Sequence, residues 1–431
     1  MKWIALICAV GITAGCGTAG TPSSPPPATG PIRTIHLAFP MTMAGGQNAD
    51  MVAAARLALA DAGGGAGGVR VQLVIDNTSN PRTGEVDKTR SIHAATITAA
   101  DPRAIAVEGT QSSTGTAAMA PIINRAGILH VINTLAVANV LTENEGATAL
   151  PSPAIAPTGR RTIVRILPDD TSHALAMLQY MQSEGFTHID IVRDDGVFGI
   201  ELARLMAQYA PKFGITIIGT HLIPDQITTP AGLAASHRIA VSIGTNIAIA
   251  QRNAPYRWGV VLSMNPQSLQ RAVVSSVTAV TTNVGIFGPT NSALENLLTT
   301  LSSQQAQDMY ITSVALPPGA TGPTAFEVTR RLTAALGHVP GLYALYGYEG
   351  VAFVLDCLER ANADGQFAHL PIASERAALL RAAFATQNRS SVIGTYSISP
   401  TGATTATMWG AYRVENGRTV RGQIINTELL K

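Results

Sequence analysis

Charge is scarce in this 431-residue chain: Asp, Glu, Lys and Arg make up 13% of it, and 29 basic against 27 acidic residues leave a formal net charge of +2. Globular chains carry roughly twice that charged fraction, about 25%. The basic residues are scattered. A nucleic-acid partner would need them clustered to displace counterions from phosphates, so the pattern argues against DNA or RNA. Cysteine is scarcer still, with 3 in all and no Cys-x-x-Cys. No disulfide framework can therefore hold the fold, and the core must be large enough alone. The 46% hydrophobic content supplies that core and excludes disorder of the whole. Beyond the N-terminus, every apolar run is broken by Asn, Asp, Gly or Pro within about ten residues, short of the ~20 that a membrane span needs. Catalytic motifs are missing too. There is no His-Glu-x-x-His, no Gly-x-Ser-x-Gly, no phosphate loop and no dinucleotide fingerprint. No metal, no cofactor and no enzymatic activity are expected.

What is present begins with a leader. Residues 1–15 place Lys2 before an apolar stretch and the small residues Thr13, Ala14 and Gly15 before Cys16, the pattern of a secretory signal. Thr13-Ala-Gly-Cys16 resembles a bacterial lipobox, with Thr13 where Leu is usual. That resemblance implies acylation of Cys16 and attachment to the outer side of the cell membrane. Residues 16–31, rich in Gly, Ser and Pro, read as a tether with no means of packing. Cys357 then stands alone on the apolar face of a helical segment, as a buried thiol.

From residue 32 the chain alternates strands and helices. Strands are predicted at 34–40, 69–75, 104–108 and 129–132, with helices at 49–61, 88–99 and 116–126 between them. Near-continuous apolar strands in such an alternation indicate a parallel sheet covered on both faces. The glycine run 63–68 follows a helix and precedes a strand, the wrong order for a phosphate cradle, so it is a turn. An Ala/Pro-rich excursion at 143–158 precedes a second block with strands at 162–167, 189–193, 215–218, 258–262, 284–287 and 309–315. Helices at 324–336, 345–362 and 375–386 follow, and residues 394–425 read as antiparallel ribbon. Two similar blocks predict two lobes: 32–162 with 316–393, and 163–315 with 394–431. The paired acids Asp169-Asp170 and Asp194-Asp195 sit where strands become loops and read as solvated loop ends.

Five motifs, in this order and spacing, resemble those of the type I periplasmic solute-binding proteins, most closely the leucine/isoleucine/valine-binding receptors of ABC importers. They are Ala55-Arg-Leu-Ala-Leu-Ala-Asp61 with the glycine run; Asp76 with Asn80-Pro81; Gly109-Thr-Gln-Ser-Ser-Thr114; Asp194-Asp-Gly-Val-Phe-Gly199; and Phe287-Gly-Pro-Thr290. The resemblance implies an α/β fold of two lobes, each a mostly parallel sheet flanked by helices, joined by three hinge crossings near Thr162, Ala315 and Gly394. It also implies a small-molecule ligand held between the lobes and an ABC permease as partner, with a monomer as the default state.

Ligands of open α/β sheets bind beyond the carboxyl ends of the strands, where helix N-termini present unpaired N–H groups. Ser112, Ser113 and Thr114 occupy such a loop, and the same atoms can cap the helix that follows. By resemblance Ser113 holds the ligand's carboxylate, Ala136 and Val137 lie in the facing loop, and Phe198 covers the ligand from the second lobe. Asn265, Thr290 and Gln47 complete the expected ligand-binding set. Thr290 stands where amino-acid receptors place a Glu for the ligand's ammonium, and a buried ammonium without a carboxylate is costly. A standard amino acid is therefore disfavoured unless Asp169, Asp170 or Asp195 supplies the acid. The family's lobe I disulfide positions fall on Ser79 and Ser112. The expected function is a lipid-anchored solute-binding protein of an importer. A ligand sensor that signals to a membrane partner is the alternative, and an envelope hydrolase would need His130 or His173 as a base beside Ser113.

Overall fold

The computed structural model describes residues 27–41, 47–134, 136, 138–142, 152–223, 230–253, 256–265, 267–289, 297, 301–307, 309–316, 320–341, 343–415 and 418–430. Strands that are apolar on both faces need cover on both sides, and the chain builds two such sheets. The first comprises β1 (Ile32–Phe39), β2 (Gly65–Ala66), β3 (Val69–Asn77), β4 (Ala104–Gly109), β5 (Leu129–Ile132) and β6 (Ile163–Arg165). Its order is β2-β3-β1-β4-β5-β6, and every pairing is parallel except that of β2 with β3. Helices α1 (Gln47–Asp61), α2 (Lys88–Ala100) and α3 (Ser113–Arg125) connect its strands.

The second sheet is entered through α4 (Asp170–Ser183). It contains β7 (His188–Arg193), β8 (Thr216–Leu222), β9 (Trp258–Ser263), β10 (Gly285–Gly288) and β11 (Met309–Ser313), with α5 (Val197–Tyr209), α6 (Pro230–Asn253), α7 (Gln267–Thr278) and the short α8 (Ser303–Ala306). The chain then returns to the first sheet as α9 (Pro323–Leu336), α10 (Ala344–Ala361) and α11 (Ile372–Phe384), followed by the hairpin β12 (Arg389–Ser391) and β13 (Gly394–Tyr396). It ends in the second sheet as the antiparallel ribbon β14 (Met408–Glu415) and β15 (Arg418–Asn426), giving the order β15-β14-β11-β10-β9-β7-β8. Among the described residues the chain thus passes between the sheets after β6, after β11 and between β13 and β14. The strand with which the sequence opens the second block, Ile163–Arg165, is instead the edge of the first sheet, because all three of its residues are buried by pairing with His130–Ile132.

Two local features differ from expectation. α3 begins at Ser113, three residues before the predicted start, because Ser112 is its N-cap and accepts a hydrogen bond from Gly115 N at 3.3 Å. The glycine run forms a tight turn holding β2, and the end of the tether packs on it. Ala28 N donates to Gly63 O at 2.8 Å, Arg70 N donates to Pro31 O at 3.0 Å, and a Cβ on Gly65 would stand 2.8 Å from that of Ala28. On the other side Gly67, at φ +60°, would drive a Cβ into the Leu358 carbonyl of α10. The lack of side chains gives residues 27–31 a surface to lie on. Cys357 is fully buried, and burial pushes its thiol up to about 12.

Candidate functional site

Both sheets point the carboxyl ends of their strands at one another, and the loops that leave those ends meet. On the first side, β4 runs through Thr110–Ser112 into the start of α3. Ser113 is fully buried, and its Oγ accepts from Ala138 N at 3.2 Å, which ties the two loops of this side together. Thr134 Oγ1 makes a second tie by donating to Thr110 O at 3.1 Å. Thr114 reaches the other side, where its Oγ1 accepts from Val197 N, the first residue of α5, at 3.2 Å.

On the second side, α4 and α5 present their N-termini. Asp169 caps α4 by accepting from Ser172 N at 2.7 Å, leaving Asp170 as the first helical residue. Asp170 is fully buried, and neither of its carboxylate oxygens has a hydrogen-bond partner among the described residues. Burial pushes its carboxyl well above the usual carboxylate range, with the Arg165 guanidinium opposing. Arg165 is itself fully buried, donates to Ala138 O at 3.2 Å and lies 3.8 Å from Asp169. One run of contacts therefore links Ser113, Ala138, Arg165 and Asp169, and the Arg165 charge acts on Asp170 beside it. An aromatic wall stands beside it. The His173 ring stacks on Trp409 at 4.4 Å between centroids and on Phe198 at 6.1 Å, while Trp409 Nε1 donates to Ser172 Oγ at 2.7 Å.

The structure brings Ser112, Ser113, Thr114 and Phe198 to this junction. Ser112 spends its hydroxyl on the cap of α3, so Ser113 is the hydroxyl that faces the facing loop. Ala136 is buried in that loop, with its N–H donating to Thr134 O at 2.7 Å. Asn265 lies one step back, its backbone N donating to Asp194 Oδ2 at 3.2 Å, and Gln47 rests its stem near Gly341, its buried amide nitrogen having no hydrogen-bond partner among the described residues. Val137, Thr290 and Cys16 lie outside the described residues. Only one member of each acid pair departs from a solvated loop end: Asp170 and Asp194 are buried, the latter accepting from Gly196 N and Asn265 N at the entry to α5, whereas Asp169 is half-buried and Asp195 is exposed. Sequence reasoning missed Arg165 and Trp409. The spacing of Arg165 to Asp169 was a usable signal, whereas nothing local ties Trp409 to a helix more than two hundred residues earlier.

The two histidines that a hydrolase would need are engaged elsewhere. His130 Nε2 meets Gly109 O at 2.6 Å, and His173 Nε2 meets Thr312 Oγ1 at 2.9 Å. Burial drives the first imidazole down to about 4 and the second to about 3, so both are neutral. Among the described residues no cluster of three His, Cys, Asp or Glu is placed to hold a metal ion, and no helix is long and apolar enough to cross a membrane.

A family model described as periplasmic binding protein matches residues 35–418. No curated protein sequence matches the chain. Among solved structures, the leucine binding protein LivK of Thermotoga maritima is 16% identical with a TM-score of 0.72, over 92% of this chain and 99% of its own. A substrate-binding protein of an ABC transporter from Desulfitobacterium hafniense, in complex with Leu, is 16% identical with a TM-score of 0.68, over 91% of this chain and 100% of its own. A solute binding protein from R. palustris in complex with benzoate is 14% identical with a TM-score of 0.66, over 91% of this chain and 95% of its own.

Proposed function

Because the chain belongs to the periplasmic binding protein family, we propose that it is the solute-binding protein of an ABC importer. Anchored on the outer side of the cell membrane by acyl chains at Cys16, it works as a monomer that closes on a small polar metabolite and delivers it to a permease. The lobes divide close to the three passages between the sheets.

The observation that carries this reading is that Ser113, at the start of α3, and Asp170, at the start of α4 and without a hydrogen-bond partner among the described residues, both neighbour the Ala138–Arg165 contact. A helix N-terminus with a serine hydroxyl suits a carboxylate or amide oxygen, because its N–H groups have no intrahelical acceptors. A buried carboxylate without a partner suits an N–H donor or an ammonium, which supplies the counter-charge that burial demands. One molecule that answers both is an amino acid or a short amide. Asp170 thus offers, from another loop, the acid that Thr290 does not. The leucine held by the D. hafniense neighbour falls in this class, and the benzoate of the R. palustris neighbour shares only its carboxylate.

A thermal-shift screen of the chain from Cys16 onward tests this with amino acids, short amides, urea and simple carboxylates including benzoate. A ligand at a hundred times its Kd stabilises the folded form by ~2.7 kcal/mol. Amino acids or amides should raise the melting point, Ser113→Ala and Phe198→Ala should weaken every response, and Asp170→Asn should remove the response to ammonium-bearing compounds. A response confined to amine-free carboxylates, unchanged in Asp170→Asn, would overturn the assignment of Asp170.

A further inference from the structure

Glu108 ends one residue short of the loop that carries Ser112, Ser113 and Thr114, and it is fully buried. Its Oε2 accepts from Asn133 Nδ2 at 2.7 Å, and the same nitrogen donates to Tyr346 O of α10 at 3.3 Å. Glu108 Oε1 and Asn133 Oδ1 have no hydrogen-bond partner among the described residues. Asn133 is the first residue of the second ligand loop, so a single polar joint connects the roots of both loops to one helix. Gly350 makes room for it, since a Cβ there would run into both Glu108 Oε2 and Asn133 Nδ2.

The groups around this carboxyl leave it without a counter-charge. From the loop after β5 it meets Asn133, while His130 of β5 is turned to Gly109 O. From α10 it meets Glu349, whose own charge is answered by Arg389 Nε at 2.7 Å and by the Tyr396 hydroxyl at 2.6 Å. Arg389 is further engaged by Asp356 at 3.3 Å. Burial pushes the Glu108 carboxyl well above the usual carboxylate range; the Asn133 hydrogen bond opposes this and Glu349 adds to it. A proton on Glu108 removes the uncompensated charge and turns one of its two acceptor oxygens into a donor.

We propose that Glu108 is a positioning residue which, as a neutral carboxylic acid, ties both ligand loops to α10 and makes the order of those loops depend on its proton. The proposal rests on the assignment of the Ser112–Thr114 loop to the ligand. Ionisation places a second negative charge beside Glu349 and draws water into the joint.

The direction follows from linkage. A carboxyl whose folded-state affinity for its proton exceeds that of the unfolded chain contributes stability that is complete at acid pH and lost as pH rises through the folded value. Melting of the full chain from about pH 5 to about pH 9 should therefore show the wild type losing ground to Glu108→Gln as pH rises, because the amide keeps a donor and never ionises. Hydrogen exchange, corrected for its intrinsic pH dependence, should show amides of residues 109–115 and 133–138 losing protection about tenfold between pH 6 and pH 9 in the wild type and not in Glu108→Gln. A difference between the two proteins that is constant with pH, as a purely packing role would give, overturns the proposal. If Glu108→Gln fails to fold, infrared spectra of 13C-carboxyl-glutamate-labelled protein decide it: a protonated glutamate at neutral pH that persists in Glu349→Gln supports the proposal, because burial also raises the proton affinity of Glu349, and fully ionised glutamates sink it. These readouts need no ligand, so a screen in which no compound binds refutes the ligand assignment while leaving the proton linkage to be decided here.

Discussion

On the proposed assignment, Asp170 is under opposite demands in the free and the occupied protein. Without a ligand, its buried carboxyl has only Arg165 to offset desolvation. Its folded-state proton affinity is raised, so the stability it contributes is complete below the ordinary carboxylate range and is lost as pH rises through the folded value. Asp170→Asn should then melt progressively above the wild type as pH rises from about 5, the gap widening by at most ~1.4 kcal/mol per pH unit. Denaturant titrations at several pH values, without ligand, check this, and a gap that narrows with pH would contradict it. The same substitution should cost recognition of ammonium-bearing ligands; together the two outcomes would mark a residue that trades stability for binding. Its role was only half legible. The Asp169-Asp170 pair stands out in the sequence at the end of a strand, but the burial of Asp170 belongs to a setting in which Phe198 and Trp409, from two distant segments, pack on the same turn of α4 at His173 and Ser172. Ser113 was placed by its motif, whereas the Ser113, Ala138, Arg165 contacts depend on loop conformation that no periodicity encodes.

The helices were legible because their apolar faces and their breakers recur along the chain, and the strands because each is a short apolar run between them. Their starts were less so. Ser113, Thr114 and Gly115 are poor helix formers, which hides the first turn of α3, yet the Ser112 cap starts the helix there. The two adjacent serines consequently have separable effects. Ser112→Ala should lower stability by about 1 kcal/mol through loss of the cap, with ligand response largely retained. Ser113→Ala should have the converse pattern, a modest effect on melting and a strong one on binding. Equal loss of binding in both would mean that the helix start, not the Ser113 hydroxyl, is the recognition element. The β12–β13 hairpin was not foreseen, since three-residue strands are too short to show an alternating pattern.

At the scale of the whole molecule, the two sides are joined at places other than the crossings. Val197 N donates to Thr114 Oγ1, Asn139 Nδ2 donates to Thr171 Oγ1 at 2.7 Å, and Glu85 Oε1 accepts from both the N and the Oγ of Ser268, at 3.1 and 2.9 Å. Glu85 thus places a carboxylate from the first side on the opening turn of α7, where the helix dipole favours negative charge by about 0.3–1 kcal/mol. On the proposed function, in which the lobes close on a ligand, such contacts belong to the closed state and would bias an open–closed equilibrium without touching the ligand. Glu85→Ala should enlarge the radius of gyration of the ligand-free protein in small-angle scattering and weaken binding two- to fivefold, roughly the population equivalent of that dipole energy. A ligand at saturation should restore the wild-type radius, and a variant that scatters like the wild type throughout would remove Glu85 from the closing mechanism.

The seat of residues 27–31 on the glycine turn sets where the molecule would be held if Cys16 is acylated as proposed. Gly63 and the Gly65–Val69 segment lie at the amino ends of β1 and β3, and Ser113 leaves the far end of the same sheet, the length of the nine-residue β3 away, or ~30 Å. Between Cys16 and Ala28 about a dozen residues can span at most ~40 Å. A receptor moored at Cys16 would therefore hang by its stern with its mouth turned outward. To reach a permease in the same membrane it must roll over on a leash little longer than the sheet itself, and only channels within that short radius lie inside its beat.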